Sequence, residues 1–269
     1  MNPFDVIATD LDGTFLTDDH RVPQINARAV RVAARRGIPT IYASGRPVRW
    51  FGVLDELAET HGWAVAANGA VTLDLATRRV VHARAMSAAL IAEVTQEIRR
   101  MLPSAGFAVE YLGAWGAEPH FLQHSEVPHL QAPMIELLAR GPVVKLLVVD
   151  PATPTEDLAA VVGELIAERL TVTFSHVSQA GMLELSAAGV SKALALAELL
   201  DDLGLAASRM IAFGDMPNDL AMLSLAGQGF TMSRAHPSVS AAGYPATGDN
   251  NDAGVGRTIL QLLGESLHD

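Results

Sequence analysis

The sequence predicts an α/β protein built on a parallel sheet, with a separate α+β unit inserted into it. Short, almost wholly apolar runs stop at polar or glycine-containing turns and alternate with helical stretches, the order expected of a parallel sheet covered on both faces. The rhythm changes between residues 83 and 186, where strand-like runs dominate, and it resumes near residue 189. A chain of 269 residues, 49% hydrophobic and 18% charged, can bury one large core or two smaller ones. The expected division is therefore a core of residues 1–82 and 187–269 and an inserted unit of residues 83–186.

Residues 4–9 form an apolar, β-branched run broken by Asp10, Leu11, Asp12 and Gly13, which reads as a buried strand ending in a polar turn. Residues 26–36 read as a helix with Ala29, Val30, Ala33 and Ala34 on one face and Gly37 as its stop. Residues 39–43 and 63–67 are further buried strands, ending at Ser44-Gly45-Arg46 and Asn68-Gly69, with helical sequence between them. Runs 71–75 and 79–83 alternate as a hairpin extending beyond the sheet.

In the inserted unit, helices are expected at 87–101 and 156–169 and strands at 107–112, 143–149, 171–176 and 182–185. The stretch 113–133, punctuated by Gly and Pro, reads as loop and short helix. The first rhythm returns with a helix at 189–203, a strand at 210–213, a helix at 217–225 and a strand at 229–232.

Composition narrows the function classes. A net charge of -11 argues against a nucleic-acid partner, whose affinity would draw on clustered Lys and Arg. The mean hydropathy of +0.24 owes much to alanine, and no run of about 18 uncharged apolar residues suggests a membrane span. The N-terminal residues lack the basic segment and apolar stretch of a secretory signal, so the cytoplasm is the expected location. With no cysteine, disulfides, thiolate metal sites and a thiol nucleophile are excluded, leaving oxygen and nitrogen chemistry. Lys145 and Lys192 are the only lysines.

Ligands of open parallel sheets bind beyond the carboxyl ends of the strands. Those ends carry Asp10 and Asp12, then Ser44, then Asp215 with Asn218 and Asp219, while Lys192 opens a late helix. Two carboxylates one residue apart, followed by glycine, can both face one site while the backbone bends sharply. A calcium-binding loop does not fit, because Phe15 stands where such a loop needs glycine, and the second acidic patch, Asp249 to Gly254, fails because Ala253 and Leu260 stand at ligand positions.

In this order, Asp10-Leu11-Asp12-Gly13-Thr14, Ser44-Gly45-Arg46, Lys192 and Gly214-Asp215-Met216-Pro217-Asn218-Asp219 resemble the four motifs of the haloacid dehalogenase superfamily. The insertion between the second and third motifs, Asn68-Gly69-Ala70 and the segment from Asn251 to Val255 resemble the Cof-like phosphatases with a type IIB cap. Ala193 departs from the glycine that often follows the motif lysine, a change a helix start tolerates.

The resemblance implies a Rossmann-like core, an inserted α+β cap of type C2B, and a phosphatase that forms an aspartyl-phosphate. Asp10 would be the nucleophile and Asp12 the general acid and base. Ser44, Gly45, Lys192 and Asn218 would bind the phosphate, with Thr14 and Asp219 in support. Mg²⁺ would be held by Asp10, the Asp12 carbonyl and Asp215. Two unit charges about 4 Å apart interact by roughly 4 kcal/mol at an effective dielectric near 20, so a phosphate beside these carboxylates requires such a cation.

The expected substrate is a small phosphorylated metabolite, with a sugar phosphate first by family analogy. A phosphotransferase or phosphomutase with the same nucleophile and a non-catalytic metabolite-binding protein are the alternatives. The oligomeric state is not legible. Lys145, in an apolar run, reads as a structural or solvent-facing cap lysine. Arg46 and Arg49 stay outside the expected catalytic set, and His120, His124 and His129, with only Glu126 nearby, do not make a metal pattern.

Overall fold

The computed structural model describes residues 2–121 and 127–267. Two sheets divide these residues. The first has seven strands, β1 (Val6–Thr9), β2 (Thr40–Ala43), β3 (Trp63–Ala66), β4 (Val71–Asp74), β5 (Val80–Ala83), β12 (Met210–Gly214) and β13 (Gln228–Thr231), in the order β13-β12-β1-β2-β3-β4-β5. The five from β13 to β3 are parallel, and β4 and β5 add antiparallel edges. The hairpin thus continues the parallel sheet as its edge.

Alternation along β1 shows why this sheet needs cover on both faces. Ile7 packs with Phe15 of the turn after β1 and with Val30, Val255 and Ile259, from α1 (Gln24–Arg35) and α8 (Gly254–Leu262), on one side. Val6 and Ala8 pack with Leu196, Leu199, Met222 and Val239, from α5 (Lys192–Leu203), α6 (Leu220–Leu225) and α7 (Pro237–Ser240), on the other. The stretch between β2 and β3 is a 3₁₀ segment, Val48–Thr60, that buries Phe51, Leu54 and Leu57.

The second sheet has six strands: β6 (Gly106–Glu110), β7 (Trp115–Ala117), β8 (Leu130–Gln131), β9 (Lys145–Asp150), β10 (Leu170–Thr173) and β11 (Gly181–Ala187). Their order is β10-β11-β9-β6-β7-β8, antiparallel except for β7 with β8. On one face Leu146, Val148, Leu183 and Leu185 pack with residues of α2 (Ala88–Met101), α3 (Met134–Leu138) and α4 (Thr155–Ile166). The mixed α/β fold with an α+β cap is therefore present.

Two expectations change. The stretch read as loop and short helix contains β7 and β8, strands of three and two residues formed by pairing on β6 and on each other. Such short strands lack a local pattern and owe their conformation to the neighbouring edge. The expected ends of helices and strands shift by up to three residues, and 217–225 splits into a 3₁₀ turn, Pro217–Asp219, followed by α6. Among the described residues, no helix is long and apolar enough to cross a membrane.

Candidate active site

The apolar run of β1 ends at Asp10, whose backbone N–H donates to Phe213 of β12 at 2.9 Å. The chain then turns tightly. Gly13 adopts φ 73°, and a Cβ there would lie 2.5 Å from Asp215 Oδ2, so glycine satisfies both the left-handed backbone and the close approach of the carboxylate. Thr14 Oγ1 donates to Asp215 Oδ1 at 2.7 Å, joining the ends of β1 and β12. Asn250 donates to the Leu16 carbonyl at 2.9 Å, and Asn251 binds Asp18, so the segment before α8 clamps the far side of this turn.

Lys192 opens α5, which Ser191 caps by accepting the Leu194 N–H at 3.1 Å. A cation is unfavourable at this end of a helix dipole, but here carboxylates surround it. Its Nζ donates to Asp10 Oδ1 and Asp219 Oδ1, each at 2.6 Å, and the side chain is buried. Asp219 Oδ2 accepts the backbone N–H groups of Asp215 and Met216 at 3.1 and 3.0 Å. Asp219 thus orients the lysine and shapes the loop after β12, with both oxygens engaged.

The site holds more negative charge than Lys192 balances. Burial, with the neighbouring aspartates, raises the Asp10 carboxyl well above its ordinary value against the pull of Lys192. Burial and Asp219 raise Asp215 from 3.8 to about 7. Burial opposes the charge on Lys192, but Asp10 and Asp219 outweigh it and hold the ammonium charged.

This arrangement suits a hard divalent cation. One oxygen each of Asp10, Asp215 and Asp219 lies within 4.8 Å of the others, the only such acidic or histidine group found among the described residues. Since Asp219 is already bound by Lys192 and two backbone groups, Asp10 and Asp215 are the side chains with oxygens to offer. Of the histidine group set aside above, His124 and Glu126 lie outside the described residues.

Asp215→Asn should therefore change how stability depends on pH. A carboxyl that holds its proton more tightly folded than unfolded adds stability below pH 3.8, and this is lost as pH rises through about 7. Without metal, the variant should match the wild type near pH 4 and become more stable than it by neutral pH, by at most about 4 kcal/mol. Divalent metal should raise the wild-type Tm and barely move the variant's, as thermal denaturation with and without chelator would show.

Asp10, Asp12, Ser44, Gly45 and Asn218 line one cleft between the two sheets, with Arg46, Arg49, Trp50, Glu110, Trp115, Lys145 and Glu184. Ser44 Oγ accepts the Arg46 N–H at 3.1 Å, leaving its hydroxyl proton available. One N–H of the Asn218 amide donates to Asn68 Oδ1 at 3.0 Å, while Asn218 Oδ1 is buried without a partner. Asp12 is gripped from two sides by Arg46, Nε to Oδ2 at 2.7 Å and Nη2 to Oδ1 at 2.5 Å, with His20 Nδ1 at 3.2 Å.

Two residues left outside the expected site also line the cleft. Lys145 is neither solvent-facing nor remote: it is 2% exposed and pairs with Glu184 Oε1 at 2.5 Å in the cleft. Its signal was a charge in an apolar strand, with Glu184 in another. Arg49 reaches from the core to Glu110 at 2.6 Å, its guanidinium 4.9 Å from the Trp50 ring centre and 5.5 Å from that of Trp115.

Residues 7–259 match the family model of haloacid dehalogenase-like hydrolases. The chain belongs to this family. Among curated relatives, 5-amino-6-(5-phospho-D-ribitylamino)uracil phosphatase YcsE of Bacillus subtilis is 25% identical over 94% of each chain. The solved structure of SMU.1108c from Streptococcus mutans UA159 has a TM-score of 0.84 at 23% identity, covering 97% of this chain and all of its own. That of BT4131, described as a subclass IIB sugar phosphatase of the superfamily, has a TM-score of 0.81 at 19% identity, covering 97% of this chain and 99% of its own. In this haloacid dehalogenase-like hydrolase, the four motif segments converge at the carboxyl ends of β1, β2 and β12.

Proposed function

We propose that the protein is a Mg²⁺-dependent phosphatase of small phosphorylated metabolites, sugar phosphates foremost, acting through an aspartyl-phosphate on Asp10. The observation that carries this reading is the buried Lys192, bonded at once to Asp10 and Asp219 beside Asp215, at the carboxyl ends of β1 and β12. A helix-start lysine with an ordinary solvated role would not be enclosed by three carboxylates.

An Asp10 carboxylate oxygen attacks phosphorus, the ester P–O bond breaks, and Asp12 gives its proton to the leaving oxygen. Water then loses a proton to Asp12 and attacks the same phosphorus, freeing Asp10 and inorganic phosphate. Lys192 orients Asp10 and faces the phosphoryl oxygens, to which Ser44 and the second N–H of Asn218 can donate. Asp12 must exchange its contact with Arg46 for the leaving group, so substrate entry and the release of Asp12 belong to one rearrangement.

A divalent cation held by Asp10, Asp215 and the Asp12 carbonyl would neutralise the charge of the phosphoryl group. The core of residues 1–82 and 187–269 would carry this machinery, and residues 83–186 would close over it and exclude water. The YcsE relative acts on a phosphorylated ribityl compound, which is consistent with a small organic phosphate here. The purified protein should release phosphate from p-nitrophenyl phosphate with Mg²⁺ and not with chelator. Absence of release with Mg²⁺, Mn²⁺ and Co²⁺ alike would overturn the reading.

A further inference from the structure

The face of the cap sheet turned toward the core follows from strand alternation. Lys145 and Leu147 of β9 share it with Glu110 of β6, paired with Lys145, and Glu184 of β11, paired with Leu147. All four line the cleft above Asp10, whereas the intervening Leu146, Val148 and Leu185 enter the cap core. A cavity of about 110 Å³ lies between this roof and the phosphate-binding loops, suited to a small leaving group.

Lys145 and Glu184 form a buried ion pair in its lining. Lys145 Nζ donates to Glu184 Oε1 at 2.5 Å and to the backbone carbonyl of Gly45. Glu184 Oε2 accepts from Asn68 Nδ2 at 2.7 Å. The core makes room for this contact, since a Cβ on Gly45 would lie 2.9 Å from Glu184 Oε2. An ion pair this deeply buried is no more stabilising than well-packed apolar side chains, so stability alone does not account for it. An ammonium has three N–H donors and a carboxylate about four acceptor positions, and the contacts described use two of the former and two of the latter. The remaining donor of Lys145 and one of the two remaining acceptor positions of Glu184 complement a hydroxyl, which accepts from the first and donates to the second.

We propose that Lys145 and Glu184 are the specificity-determining pair of the site, binding a hydroxyl of the leaving group while they seat the cap on Gly45 and Asn68. The proposal rests on the phosphatase reading and adds which residues discriminate and what group they read. A leaving group without that hydroxyl would leave one N–H of Lys145 and one acceptor position of Glu184 without a partner in the closed cleft, although the two charges stay paired with each other.

The test compares sorbitol 6-phosphate with n-hexyl phosphate, esters of equal chain length with and without hydroxyls, and uses p-nitrophenyl phosphate to establish phosphatase activity. The wild type should favour the polyol ester in kcat/KM by at least about a hundredfold, as expected where a site is built to hydrogen-bond a hydroxyl. Lys145→Met with Glu184→Met, which leaves neither charge unpaired, should bring that ratio to within about threefold of unity. Glu184→Gln, which keeps an acceptor for Asn68, should give an intermediate ratio and guards against misfolding of the double variant.

A wild-type ratio near unity, or a ratio the variants leave unchanged, overturns the proposal. Equal loss for both esters also overturns it, because the pair would then only hold the cap. Release from p-nitrophenyl phosphate without polyol preference defeats this inference alone, whereas no release from any of the three esters defeats the phosphatase reading as well.

Discussion

Asp10→Asn should lower phosphate release from p-nitrophenyl phosphate by at least about a thousandfold, the scale of loss when a nucleophile is removed from a cooperating set. The amide is a poor nucleophile at phosphorus, and each neighbouring carboxylate is otherwise engaged. Asp215 is held by Thr14, Asp219 by Lys192 and two backbone groups, and Asp12 by Arg46. The fold should survive, because the amide oxygen of the introduced asparagine can still accept from Lys192 while the buried site loses one of its crowded negative charges. Stability should equal or exceed that of the wild type in metal-free buffer, since the carboxyl replaced is one that burial disfavours in its charged form. Turnover within tenfold of the wild type by a correctly folded variant would remove Asp10 from the nucleophile's role.

Lys192→Met should have the opposite effect on stability while also abolishing turnover. Lys192 is the cation bonded to both Asp10 and Asp219, and removing one partner of a buried ionic cluster costs about 3–5 kcal/mol through the charge left unpaired. The loss should be smaller when Asp10→Asn is already present, because one of the two stranded carboxylates is then neutral. Urea unfolding of the wild type, the single variants and the double variant measures this coupling. If Lys192→Met unfolds at the wild-type urea concentration, the lysine does not hold the carboxylates together, and its place in the site would reduce to a contact with phosphate.

Much of the frame was legible because its signals are local. The five parallel strands announce themselves as apolar runs, and Asp10, Ser44, Asp215 and Asp219 stand just beyond strand ends, where the sheet opens. The roles of Arg46 and Lys145 were not legible. Arg46 acts on Asp12 from 34 positions away, and Lys145 meets Glu184 from 39 and Gly45 from 100. In sequence each is a lone charge, compatible with a solvated surface. Likewise, β7 and β8 are too short for a periodic pattern and exist through pairing.

Local sequence was enough to indicate the α/β class and to exclude thiol chemistry, and its four motifs carry the family resemblance that implies a hydrolase. Apolar periodicity dictates which segments are strands and helices, the absence of cysteine removes thiol chemistry, and four short motifs place acidic and basic groups at strand ends and a helix start. How those charges share the site was settled by the packing of distant segments. Folding sets one lysine between Asp10 and Asp219, crowds Asp215 against the other carboxylates, holds Asp12 on Arg46 and lowers a second lysine, Lys145, from the cap onto the core. The reason is physical: local conformation follows from neighbouring residues, whereas the cost and use of a buried charge depend on what the fold brings within a few ångströms of it.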